Sequence, residues 1–302
     1  MSKILLSVVT LVVAVLFSAL SFGQSFYFSA SPELRSAAQK AYLGESIKTN
    51  YHSSTGTIQE DYQQVITSLG NGYQLSAAAG YQVNNFLSFE LEAGYLLSED
   101  VAFYDDFDFI GQFIDEIDFV YSAQTFSVTP TISARVPDRQ FSPFISLGFV
   151  MAFPQLTLTS KGSYQIDEDE MFVREYQTRL TPGAQIKGGL EWQMGVQMAL
   201  VGSVGFTGYT FKPKSSEITK WDVGGRDELG SLTDAQRVSN YSETYTVSYQ
   251  FDPLTGELVE DEEELIDIVQ PAVQFPFSSV SFGLGIKYYL TSRKVPTSPI
   301  LN

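Results

Sequence analysis

The chain of 302 residues carries 35 acidic against 18 basic side chains, a formal charge of −17, with no cysteine but 23 phenylalanines and 17 tyrosines. The acid excess would repel a phosphate backbone and argues against a nucleic-acid partner, while the lack of thiols excludes a disulfide framework and a lipidated cysteine behind a leader. Aromatics beside many Gly, Ser and Thr, in alternating stretches with no convincing helical period, point to an all-β fold.

Residues 1–23 read as an export signal: Lys3 is the positive start, Ile4 to Leu20 the apolar run, and Ser21-Phe22-Gly23 a small-x-small cleavage site. The run approaches the lower limit for a spanning helix, so an uncleaved anchor is the alternative. Residues 24–290 then read as one β-barrel domain and 291–302 as a short periplasmic tail.

SFYFSAS, Ser25 to Ser31, alternates and is expected to end before Pro32. A mixed polar segment, 32–71, precedes GYQLSAAAGYQV (Gly72 to Val83) and FLSFELEAGYLLS (Phe86 to Ser98), which flank Asn84-Asn85 as a tight hairpin. After an acidic stretch, 99–124, TFSVTPTISARV (Thr125 to Val136) turns through Pro137-Asp138-Arg139-Gln140 into FSPFISLGFVMAF (Phe141 to Phe153). LTLTSKG prolongs that strand, with a bulge expected at Pro154, where the phase slips. A further acidic segment, 160–176, leads to TRLTPGAQIKGGLEW (Thr178 to Trp192), which turns at Gln193-Met194-Gly195 into VQMALVGSVGFTGYTF (Val196 to Phe211). The longest connection, 212–274, precedes the closing strand VSFGLGIKYYL, Val280 to Leu290.

These elements make eight strands joined alternately by short turns and long loops, although ten strands remains open. That asymmetry predicts a transmembrane antiparallel up-and-down β-barrel with short periplasmic turns and long acidic extracellular loops. A soluble sandwich has no reason to put every long loop at one end, although lipocalin-like barrels approach it. The two faces agree with a membrane barrel. On one lie Leu87, Phe89, Leu91, Ala93, Tyr95 and Leu97, Phe126, Val128, Ile132 and Val136, Ile145 to Phe153 by twos, and Leu180, Ala184, Ile186, Leu190 and Trp192, none of them charged. The other phase carries Glu90, Glu92, Arg135, Arg179, Lys187, Glu191 and Lys287, which would be costly in a dry sandwich core but can pair inside a lumen. Aromatics near the strand ends, Tyr81, Phe141, Trp192 and Tyr288 low and Tyr95, Phe126, Phe153 and Phe206 high, would form two interface girdles about 28 Å apart.

On these strands and their spacing the chain resembles small eight-stranded outer-membrane barrels, the OmpA transmembrane domain and OmpX type, and the outer-membrane barrels of Bacteroidota. The resemblance covers about Gln24 to Leu290. It implies a location in the bacterial outer membrane, contact with outer-membrane lipid, and recognition by the barrel-assembly machinery through Ser281, Gly283, Ile286 and Tyr288. LTSRKVPTSPILN follows where such families end on an aromatic residue, and this tail is too short for a peptidoglycan-binding domain.

An eight-stranded barrel is just wide enough to be filled by side chains. The seven charged lumen residues therefore predict a structural ion-pair network, with Glu90 and Glu92 pairing with Arg179 and Lys187; a narrow passive channel for ions or small solutes is the alternative. The three acidic connections, 99–124, 160–176 and 212–274, hold 27 of the 35 acidic residues, an arrangement usually just solvated. The acid of Glu260 to Glu264, with Asp105 to Phe109, offers at most weak, diffuse Ca²⁺ or Mg²⁺ binding, since no calcium loop is present. TYTVSYQFDPLTGELVEDEE, turning around Asp252 to Gly256, predicts strands that project beyond the membrane as a platform for an extracellular ligand or adhesion. Catalysis is not expected: the single histidine, His52, lies in a loop without a nucleophile signature, and no cofactor motif is present.

Overall fold

The computed structural model describes residues 26–52, 57–109, 113–136, 140–163, 168–242, 249–251, 258–260 and 269–290; residues 1–23, expected as an export signal, and 291–302, expected as a tail, lie outside them. In chain order the strands are β1 Phe26–Ala37, β2 Ala41–His52, β3 Thr57–Thr67, β4 Gly72–Gln82, β5 Leu87–Ser98, β6 Val101–Phe109, β7 Phe113–Arg135, β8 Phe141–Ser163 and β9 Glu170–Tyr176. They continue as β10 Thr181–Gln193, β11 Met198–Phe211, β12 Ser215–Val223, β13 Arg226–Asp227, β14 Val238–Ser242, β15 Tyr249–Phe251, β16 Leu258–Glu260, β17 Val269–Pro271, β18 Phe275–Pro276 and β19 Ser279–Tyr289.

Eight of these strands close an antiparallel barrel in the order β1, β4, β5, β7, β8, β10, β11, β19 and back to β1. Opposed residues lead around it from Tyr27 through Gly80, Glu90, Thr131, Gly148, Gln185, Thr207 and Ser279 to Ala37, ten positions further along β1. A stagger of that size over eight strands tilts them by about 40° from the barrel axis. Every expected barrel strand is present, and the short turns lie together at one end. At the first of these, the Asn84 side chain accepts hydrogen bonds from the amides of Phe86 and Leu87, both at 2.8 Å, so the turn is closed by its own asparagine.

Two prolines behave differently from expectation. β1 does not end before Pro32 but runs on to Ala37, with Pro32 opposite Leu75 of β4. Pairing with β19 lapses at Ser31 and Pro32, so the missing N–H falls where no ladder bond is made. Nor does Pro154 cause a bulge: it pairs with Thr125 in unbroken register. Along its other edge β8 pairs with β10 as far as Ala152 and with β9 from Leu156, which leaves Pro154 in the gap between them.

The segments expected as loops contain much of the sheet. β7 and β8 are 23 residues each, about 75 Å of strand, which at this tilt rises roughly 55 Å along the axis. Their outer halves carry β6, then β2 in parallel, then β3 on one side, and β9, β12, β14 and, in parallel, β17 on the other. The β15–β16 pair forms the expected small hairpin, whose turn residues 252–257 lie outside the described residues. Acidic residues hid this alternation in the sequence, yet apolar partners hold it: Phe103 stacks on Phe119 across β6 and β7 with ring centroids 5.0 Å apart.

Candidate functional site

The barrel is polarised inside out. In the belt of its eight strands, the described outward side chains are uncharged, and Leu147, Leu284, Phe282 and Leu190 are each more than half exposed. Aromatic pairs mark the two margins: Phe141 stacks on Trp192 at 5.8 Å at the short-turn end, and Phe126 on Phe153 at 6.3 Å towards the other. The inward phase is Ser, Thr, Gln, Gly and charge. Alternation alone assigns these two faces, because a strand turns successive side chains to opposite sides.

Eight charged side chains cross the lumen in two alternating chains. In one, Arg135 lies 3.6 Å from Glu191, Glu191 3.2 Å from Lys287, and Lys287 3.8 Å from Glu90. In the other, Glu92 lies 2.9 Å from Lys187, Lys187 2.6 Å from Glu33, and Glu33 3.6 Å from Arg35. Four carboxylates thus face four cations, and the neutral total allows the charges to be buried together. Tyrosines tie the network to the wall: Tyr27 donates to Glu90 at 2.6 Å, Tyr289 donates to Glu191, and Arg135 donates to Tyr289 at 3.0 Å. The Lys287 ammonium sits 4.3 Å from the centre of the Tyr27 ring.

Two glycines make room for this. A Cβ on Gly80 would lie 2.1 Å from the Tyr27 ring, and one on Gly283 would lie 2.8 Å from Ser203 Oγ and 3.2 Å from Glu33 Cγ. After packing, a void of about 70 Å³ remains, lined by Ser29, Ser31, Ser76, Ser203, Lys187 and Lys287 among others. That is space for a few water molecules.

Of the seven expected lumen charges, Glu90, Glu92, Arg135, Lys187, Glu191 and Lys287 converge. Arg179 does not. It precedes β10, which begins at Thr181, lies exposed, and donates to the Lys212 carbonyl at 3.2 Å. The expected pairing is corrected accordingly: Glu92 does pair with Lys187, but Glu90 pairs with Lys287. Glu33 and Arg35 were missed because Pro32 was read as a strand end; their i, i+2 spacing on the lumen phase of β1 was the available signal.

Above the charges the lumen changes character. Leu96, Tyr121, Ala123, Val150, Ala152, Leu156, Tyr209 and Phe211 point inward from the barrel strands, and Leu69, Phe275 and Phe277 enter from the connections, all buried. The Tyr209 and Phe277 rings stack at 5.1 Å, and Phe275 meets Tyr121 edge-on at 5.5 Å. This apolar layer lies where the projecting sheet begins. Nearby, burial pushes the Tyr121 and Tyr176 phenols above their ordinary range.

The remaining expected sites are dispersed. Ser281 and Gly283 face the lumen, while Ile286 and Tyr288 face outward on β19. Asp105 and Asp106 lie on β6, where partial burial, then Asp106 and Glu60, push the Asp105 carboxyl upward. Glu260 ends β16, whereas residues 261–264 lie outside the described residues. His52 ends β2. Among the described residues, no three His, Asp or Glu side chains gather as a metal site requires.

No family model matches the chain, and no curated protein matches it. Among solved structures it aligns with a Pseudomonas aeruginosa FadL homologue at 7% identity and a TM-score of 0.16, covering 89% of this chain and 91% of that one. An overlap that loose carries no argument about fold or function.

Proposed function

We propose that this chain is a non-enzymatic integral barrel of the bacterial outer membrane, with a plugged lumen and an extracellular sheet as its working surface for ligand contact, adhesion or structural support. The observation that supports this best is the inside-out polarity: an uncharged outward belt around a lumen crossed by two ion-pair chains. A soluble monomer rarely exposes a contiguous apolar patch beyond a few hundred Å², about the largest that water tolerates. Between the aromatic margins, Phe141 to Phe153 on β8 spans roughly 28 Å along the axis, the thickness of a hydrocarbon core. Outer-membrane lipid is then the solvent of the belt, and the β19 residues Ser281, Gly283, Ile286 and Tyr288 are the proposed contact for the assembly machinery. The acid near Asp105 is a weak divalent-cation surface at most.

Leu147 stands midway along that belt and is 60% exposed. Replacing it with arginine is expected to destabilise the barrel in lipid vesicles by about 2–4 kcal/mol, the depth-dependent cost of a cation at the bilayer midplane. Urea titration of the vesicle-inserted protein measures this, and an unchanged midpoint would refute the membrane assignment. The plug is tested separately by planar-bilayer recording of the refolded mature chain, once a heat-modifiable gel shift shows that it is folded. A silent bilayer is expected. Discrete conductance steps would instead make the serine-lined void part of a narrow passive channel.

A further inference from the structure

β3 is the outermost strand of the projecting sheet on its side: it pairs with β2 along one edge, and among the described residues no strand pairs with the other. Over Ile58 to Gln64 and at Ile66 its side chains are exposed on both faces. An uncovered edge of eleven residues usually carries proline, lysine or a bulge as protection, and TIQEDYQQVIT has no proline or lysine, while its pairing irregularity falls on β2, between Tyr42 and Gly44. Its exposed large apolar residues, Ile58, Tyr62 and Ile66, are 62, 57 and 49% exposed and share one face with Tyr42 of β2.

The strand is also nearly symmetric about Tyr62. Reversed against itself, it sets Ile58 opposite Ile66, Tyr62 opposite Tyr62, Thr57 opposite Thr67, Glu60 opposite Gln64 and Asp61 opposite Gln63. Both acidic residues thus meet amides, no like charges face each other, and the three exposed apolar residues meet their own kind, while Val65 faces Gln59. From this we propose that β3 docks on β3 of a second copy of the chain, antiparallel and centred on Tyr62, joining two projecting sheets through an isologous contact. The inference rests on the reading that the sheet stands clear of the membrane as an interaction surface, and it names the partner of that surface. A basic peptide is a different occupant, and it would not require the symmetry.

The chain lacks cysteine, so single cysteines can read the register directly. In the full mature chain, refolded and verified by gel shift, Tyr62→Cys is expected to give a disulfide-linked dimer on mild oxidation. Glu60→Cys is expected to give little, because it would face position 64 of the second copy. Gln63 is exposed and opposes Ser46 within its own chain, so charges placed there disturb the hairpin little. In analytical ultracentrifugation, Gln63→Glu sets acid against Asp61 of the second copy twice and should raise the dimer dissociation constant about tenfold, whereas Gln63→Lys should lower it about tenfold. A monomer at all concentrations, equal cross-linking at positions 60 and 62, or no difference between the two Gln63 variants would overturn the pairing. A barrel that is monomeric yet silent and lipid-inserted would sink this inference alone and leave the proposed function standing.

Discussion

Replacing Lys187 with methionine is expected to destabilise the folded barrel by about 3–5 kcal/mol, the cost of stranding buried charge. Its ammonium links Glu33 at 2.6 Å and Glu92 at 2.9 Å, and the Glu33 side chain is 2% exposed. Once the ammonium is gone, Arg35 at 3.6 Å is the remaining ion-pair partner of Glu33. The barrel should therefore convert to its unfolded gel form at a lower temperature and unfold at a lower urea concentration. Adding Glu92→Gln to the same chain should restore most of the loss, because Glu33 keeps Arg35 and the remaining lumen charges balance again, three carboxylates against three cations. If the single variant unfolded like the parent, the network would be decoration and the lumen wetter than its packing implies.

The second large effect is expected in the apolar layer. Phe277 is fully buried, stacks on Tyr209 at 5.1 Å, and reaches the lumen from the connection ahead of β19. Phe277→Ala should cost about 3–5 kcal/mol, from lost transfer energy and the cavity left behind. Phe275 is 2% exposed and belongs to the same cluster, so Phe275→Ala added to Phe277→Ala should be non-additive, as residues sharing one cavity are. Unfolding midpoints in vesicles give both numbers. A loss below about 1 kcal/mol for Phe277→Ala would show that this layer is loosely packed.

Strand alternation was legible because outward-facing and lumen-facing positions differ in chemistry at every second residue. From that period alone follow the eight barrel strands, the three tight turns at one end, the uncharged outer face and six of the eight lumen charges. Glu33 and Arg35 escaped because local rules treat proline as a strand breaker, whereas the ladder decides: Pro32 faces a lapse in the β1–β19 pairing. Arg179 went the other way, since its phase continues that of β10 but the strand begins after it.

What the sequence by itself determined is therefore the class of surface each residue meets. Which charges pair was decided by tertiary structure, because the ten-residue stagger sets heights that no single strand encodes and brings Lys187 of β10 against Glu33 of β1. The projecting sheet and the apolar layer belong there too. Their residues, rich in acid or scattered through connections as Leu69, Phe275 and Phe277 are, show no local period, and they acquire partners only when distant segments meet over the mouth of the closed barrel.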